Sequence, residues 1–346
     1  MMSNGSGFFH NVFDSIAQFA QQQLNEHRMR QERLALLHDE IERVVDASEP
    51  RIRLIGDYAA RLADAVEASL AYGERLLRRL PPAITLSRRA WVQDPRVNAF
   101  FATADELSAL LGSNPQVQEF FATGARECFA LLLMVMREQE SFSTGLEGEM
   151  LVRDVRRVTV SFSAHQLLFP VTSERALRQE LKQRMLSYLA GCALTRINQL
   201  RDCRGDLEEQ RRQLQAQMNA LRGQARGLPL LTSADADERR LASLTQRLSQ
   251  VEQDLADARS RLGSLDDYLE QVRQVLSQSA TLLQLELLVL RLNRLGVKLA
   301  DDSPEPGATL NLIRLSACGE QRISLLVRFC AEDLPVPDTA AEPGWL

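Results

Sequence analysis

A seam of apolar residues from Leu241 to Leu283 constrains this chain more than any other feature. Alternating steps of three and four give Leu241, Leu244, Leu248, Val251, Leu255, Ala258, Leu262, Leu265, Leu269, Val272, Leu276, Ser279 and Leu283. A helix puts residues so spaced on one stripe, and their 3.5-residue average keeps it facing a neighbour with a left-handed twist. The stripe needs a partner, and one lies upstream. Leu186, Ala193, Leu200, Leu207, Leu214 and Leu221 form a heptad column, interleaved with Ala190, Ile197, Arg204, Arg211, Met218 and Ala225. Between the two helices, Gly227 is a stop and Pro229 cannot continue a helix. Asp235 with Glu238 reads as a capping box for the second helix. Doubling back near residue 231 sets 221 beside 241, 214 beside 248, 207 beside 255 and 200 beside 262, and the second column closes in the same register.

Charge favours this pairing within one chain. Residues 174–226 carry eleven Lys/Arg and six Asp/Glu, whereas 235–290 carry six Arg and ten Asp/Glu. Unlike helices attract and like ones repel. About fifty residues per helix at roughly 1.5 Å each make an arm on the order of 75 Å. Arg204 and Arg211 interrupt the seam. Either their stems cross it to reach Glu252, Asp254 or Asp257, or a drift in register turns them into solvent.

The upstream region reads as helical. Phe8, Phe9, Val12, Phe13, Ile16 and Phe19 form an apolar stripe at helical spacing. Its polar face, His10, Asn11, Asp14 and Gln18, lacks the basic residues of membrane-surface helices, so packing on protein is favoured over a membrane. That helix runs to Val45, Pro50 breaks it, and Ile52 to Leu80 resumes it as a hairpin over 11–80. Arg75, Arg78, Arg79, Arg88, Arg89 and Arg96 surround Trp91, a basic cluster with an aromatic that defines a candidate nucleic-acid patch. Asp94-Pro95-Arg96-Val97-Asn98-Ala99-Phe100-Phe101-Ala102-Thr103 and Asn114-Pro115-Gln116-Val117-Gln118-Glu119-Phe120-Phe121-Ala122-Thr123 repeat one pattern, each a capped helix start with proline first inside. The apolar runs 125–137 and Leu282–Leu299 read as buried helices, with a loop at 141–148.

Strands are expected where the alternation changes. Val158, Val160 and Phe162 alternate with polar residues, Leu167–Pro170 reads as a short return strand, and Thr309–Leu315 and Ile323–Phe329 flank a turn. The expected fold is mainly α: a helical domain over 1–150, a small antiparallel sheet from 151–172 plus 308–332, and the coiled-coil hairpin of 173–297 inserted between its strands. Residues 333–346 read as a loose acidic tail. The layout of strand, long helical hairpin, strand over 150–330 resembles that of periplasmic adaptor proteins of efflux pumps. It is a likeness of layout, carried by no motif.

Chemistry is sparse. No glycine-rich phosphate loop, His-Glu-x-x-His, nucleophile elbow or dinucleotide fingerprint is present, so no catalytic residue, cofactor or metal is assigned. Of the four histidines, His27 and His38 lack metal-ligand spacing, and His165 stands at a strand end near Ser161 and Ser163. Five cysteines, an odd number without a C-x-x-C pair, and no charged-then-apolar leader point to a reducing cytoplasm. Net charge is −5, which gives no general pull toward nucleic acid. The expected function is a non-enzymatic scaffold whose arm holds or spaces protein partners, with Leu228, Leu230 and Leu231 at the tip as docking residues. A membrane-surface protein anchored by Phe8, Phe9, Phe13 and Phe19 is the second reading. Nucleic-acid association through Arg78, Arg79, Arg88, Arg89 and Trp91 is the least favoured, and self-association stays open.

Overall fold

The computed structural model describes residues 6–147, 150–227, 234–300 and 302–335, with side chains over 27–141, 156–223, 238–300 and 302–335. Helices open the chain: α1 (Ser6–Ala47), a 3-10 turn at Pro50–Leu54 and α2 (Tyr58–Arg78). A short strand β1 (Ile84–Thr85) precedes four small helices, α3 (Arg88–Gln93), α4 (Pro95–Phe100), α5 (Ala104–Ser113) and α6 (Pro115–Ala122). Strands β2 (Glu127–Glu147) and β3 (Met150–Val171) form a long hairpin. The long helix α7 (Glu174–Gly227) is followed by α8 (Ala234–Arg261), α9 (Leu265–Ser277) and α10 (Ser279–Leu282). Strands β4 (Leu283–Leu292), β5 (Ala308–Ala317) and β6 (Glu320–Cys330) complete the sheet.

The sheet is an antiparallel half-barrel in the order β3-β2-β6-β5-β4, with β1 parallel to the end of β6. Its two ends converge where Val160 N donates to Gly296 O and Lys298 N to Val158 O, both at 2.8 Å. On one face Cys128, Ala130, Leu132 and Met134 of β2 meet Leu325, Val327 and Phe329 of β6, beneath Val97, Phe100, Phe101 and Leu107 of the small-helix segment. On the other face Leu131, Ile313 and Leu326 pack against Leu77 and Leu80 and against Leu177 and Leu181 of α7.

Two expected helices are strands instead, and the double covering accounts for the first. The run at 125–137 belongs to β2 and that at 282–299 begins with β4. A strand buried on both faces is apolar at consecutive positions, so it loses the alternation by which strands are recognised. The loop expected at 141–148 is strand as far as Glu147, and the short return strand is the end of the 22-residue β3. The second arm helix stops at Arg261, and helix ends at Leu282, not 297. At the break, Asp267 Oδ2 accepts from Gly263 N (3.0 Å) and Ser264 N (2.7 Å), restarting the helix as α9. The repeated Pro-x-Val phrases do open helices: Asp94 caps α4, Asn114 caps α6, and Phe100 and Phe101 are 2% and 0% exposed.

Two compact units divide the chain differently from the expected boundaries: Met1–Leu70 with Leu186–Ser277, and Ala71–Met185 with Gln278–Leu346. In the first, Val44, Val45, Ile52, Leu62, Val66, Ile197, Leu269 and Val272 are buried. Ser69 Oγ on α2 donates to Leu276 O at 2.9 Å, and in the second unit Gly73 lies beside the Met185 side chain.

Candidate functional site

Over Leu241–Leu262, the seven seam positions and no others are shielded from solvent. Leu244, Leu255 and Leu262 are buried, and Leu241, Leu248, Val251 and Ala258 half-buried. Between Leu200 and Leu221 the shielded positions are the two heptad columns with Arg201 and Glu208. Contacts between α7 and the helices after it follow in antiparallel order. Glu208 lies 3.6 Å from Arg259, Arg204 Nη1 donates to Leu262 O at 3.4 Å, Arg201 Nε to the Tyr268 hydroxyl at 3.3 Å and Arg196 Nε to Gln271 at 2.7 Å. Farther out, Gln213, Leu214 and Gln217 share a groove of about 360 Å³ with Arg247, Gln250 and Val251. Each arginine reaches between one and two turns past its level partner toward its own N-terminus, the way helical side chains lean.

The interrupting arginines do neither thing expected of them. Arg204 takes the Leu262 carbonyl and lies 3.6 Å from Glu208, while Glu252, Asp254 and Asp257 stay exposed. Arg211 is half-buried, and its Nε is enclosed without a hydrogen-bond partner. Leu228, Leu230 and Leu231 lie outside the described residues. Phe8, Phe9, Phe13 and Phe19 fall on the backbone of α1, but their side chains are outside the described set.

The basic cluster is largely engaged with its own chain. Arg88 pairs with Asp105 and donates to Ser108 Oγ at 3.0 Å, and Arg96 grips Asp94 at 2.7 Å. Arg78 stands 4.0 Å from Glu74, Arg89 donates to Gln93 at 3.3 Å, and Arg79 is exposed. The Arg96 guanidinium holds the Asp94 carboxyl below the usual carboxylate range. Trp91 spends its indole N–H on Phe101 O at 2.9 Å and packs on the core, so its ring is not a free stacking platform.

His165 is a packing group. Its side chain is 6% exposed, Nε2 lies 2.8 Å from Phe100 O, Nδ1 lies 3.4 Å from Glu106, and the ring stacks on Phe101 at 4.6 Å. A slip in the β2–β3 register between Leu133 and Val135, with Ala164 at φ 52°, turns this part of β3 toward the small helices. Glu106 and Phe101 carried no sequence signal as partners, because the bulge that unites them is a tertiary feature. Beside them a cleft of about 880 Å³ opens between α4 and the β4–β5 connection, rimmed by Asn98, Ser161, Arg294 and Glu305. Burial pushes the Cys128 thiol up to about 12, which leaves no thiolate there at neutral pH. Among the described residues no three His, Cys, Asp or Glu side chains are grouped to hold a metal ion, and no helix is long and apolar enough to cross a membrane.

No family model, curated protein or solved structure matches this chain.

Proposed function

We propose that the protein is a non-enzymatic interaction protein in which α7 and α8 make an antiparallel coiled-coil arm, inserted in sequence between β3 and β4, that holds or spaces partner proteins. The observation that carries this reading is the shielding of seam positions alone over Leu241–Leu262. Helices that cover one narrow stripe and leave every other position in water add little to a core, so their use is reach. The two arms supply the opposite net charges that favour pairing with each other. No disulfide joins any two of the five cysteines, in keeping with a reducing cytoplasm as the setting.

The docking point on this reading is the turn with Leu228, Leu230 and Leu231. Affinity purification from the native host, with wild type beside the triple variant Leu228→Ser, Leu230→Ser, Leu231→Ser, tests it. Loss of co-purifying proteins from the variant supports the tip as the holding surface; equal recovery removes it.

A further inference from the structure

We infer that the cleft between α4 and the β4–β5 connection binds a small amphipathic carboxylate, its apolar body on the cleft floor and its charged end on Arg294. The inference does not rest on the reading of the arm. The cleft exists because the half-barrel closes incompletely. Residues 296–298 bridge to β3 at Val158 and Val160, where Val160 N donates to Gly296 O and Lys298 N to Val158 O. The bridge is tight: Gly296 has φ 74°, and a Cβ there would stand 2.8 Å from Val160 O. Past it the ladder with β2 runs on in unchanged register, with Arg137 opposite Ser161 and Met136 opposite Phe162. In an antiparallel strand every second residue sends its N–H and C=O to the same side. Phe162 therefore turns its backbone groups away from β2, as Val160 does, and no bond from outside the sheet reaches them among the described residues.

At about 880 Å³ the cleft has the size of a small-molecule site, which is ordinarily apolar with a few polar groups that set orientation. Its floor is part of the core: Phe100 and Leu292 are 2% exposed, Val160 4% and Phe162 9%. Arg294 and Glu305 are the charged residues that line it. Glu305 accepts from the Asn293 amide at 3.5 Å, whereas Arg294 has neither hydrogen bond nor ion pair among the described residues. The side chains of Asn98 and Ser161 are likewise unpartnered among them. The free groups are thus rich in donors: a guanidinium, an amide, a hydroxyl and the Phe162 N–H. A carboxylate only accepts, and its two oxygens match the guanidinium fork. An uncharged ligand would cover Arg294 without pairing it. One arginine against one glutamate leaves the rim without net charge, too little to hold a dianionic phosphate.

Calorimetric titration of the full chain with octanoate and with phenylpropionate tests the site, with octanol as the uncharged control. Wild type is expected to bind both carboxylates saturably, and octanol about tenfold or more less tightly than octanoate. Arg294→Gln should weaken both carboxylates about tenfold or more and leave octanol unchanged, because it removes only the charged fork. Ser161→Trp, at an exposed strand position on the rim, should weaken all three by filling the cleft. Arg79→Gln, at an exposed arginine that does not line the cleft, should change nothing. Near-UV circular dichroism matching wild type in each variant separates loss of binding from loss of fold. The proposal falls if neither carboxylate saturates wild type by about 10 mM. It falls equally if octanol binds as tightly as octanoate, or if either rim substitution leaves the carboxylates unaffected.

Discussion

Glu49 shows how much one side chain can join. Its carboxylate is 7% exposed and is held by Arg51 Nε at 2.7 Å and by Arg201. Those two guanidinium groups lie over the Tyr268 ring, at 5.5 and 5.0 Å from its centre. The hydrogen bond from Arg51 outweighs burial and holds the Glu49 carboxyl below its usual range. A carboxylate with a lowered folded-state value stabilises above its unfolded value, and that stabilisation is lost as pH falls through the lowered one. Urea unfolding of Glu49→Gln should therefore show a loss of about 1–2 kcal/mol at neutral pH, discounted because both arginines are partly solvated. The difference from wild type should shrink in acid. Phe101→Ala, at a fully buried ring, should lose about 3–5 kcal/mol in the same measurement. At neutral pH a thiol reagent followed by mass spectrometry should modify exposed Cys203 and Cys330 and spare Cys128.

At the scale of elements, the seam was legible because its signal is local. Every third and fourth residue is apolar, and burial over Leu241–Leu262 falls on those positions. The arginines on the seam mark where local pattern stops informing. Arg211 keeps a buried Nε without a partner, so Arg211→Leu should slow amide exchange in α7 and α8, a gain of about 1 kcal/mol. Asp267→Ala should speed exchange at the start of α9 by removing the acceptor for Gly263 N and Ser264 N, about 1 kcal/mol. The strand β2 was not legible. Cys128–Met136 is apolar nearly throughout, and in one sequence a helix buried all round and a strand covered on both faces look alike.

Across the whole molecule, the sheet is assembled from distant parts. Glu127 pairs with Cys330 and Ile84 with Val327, with the long helices lying between them in sequence. Arg204 and Leu262 are in hydrogen-bond contact, so a short turn joining 204 to 262 can replace everything between them. That shortened chain is expected to keep the wild-type near-UV circular dichroism and to lose the partners recovered with the full chain. A collapse of tertiary signal would mean that the arm is needed for the rest to fold.

The 3-4 run of leucines, the opposite charges of its two sides and the capped Pro-x-Val helices were set by the amino-acid order alone, because each is a matter of neighbours within a few turns. Which apolar runs became strands and where His165 points were decided by tertiary structure. Those outcomes depend on which layers cover each face and which strand lies alongside, and such neighbours are remote in sequence.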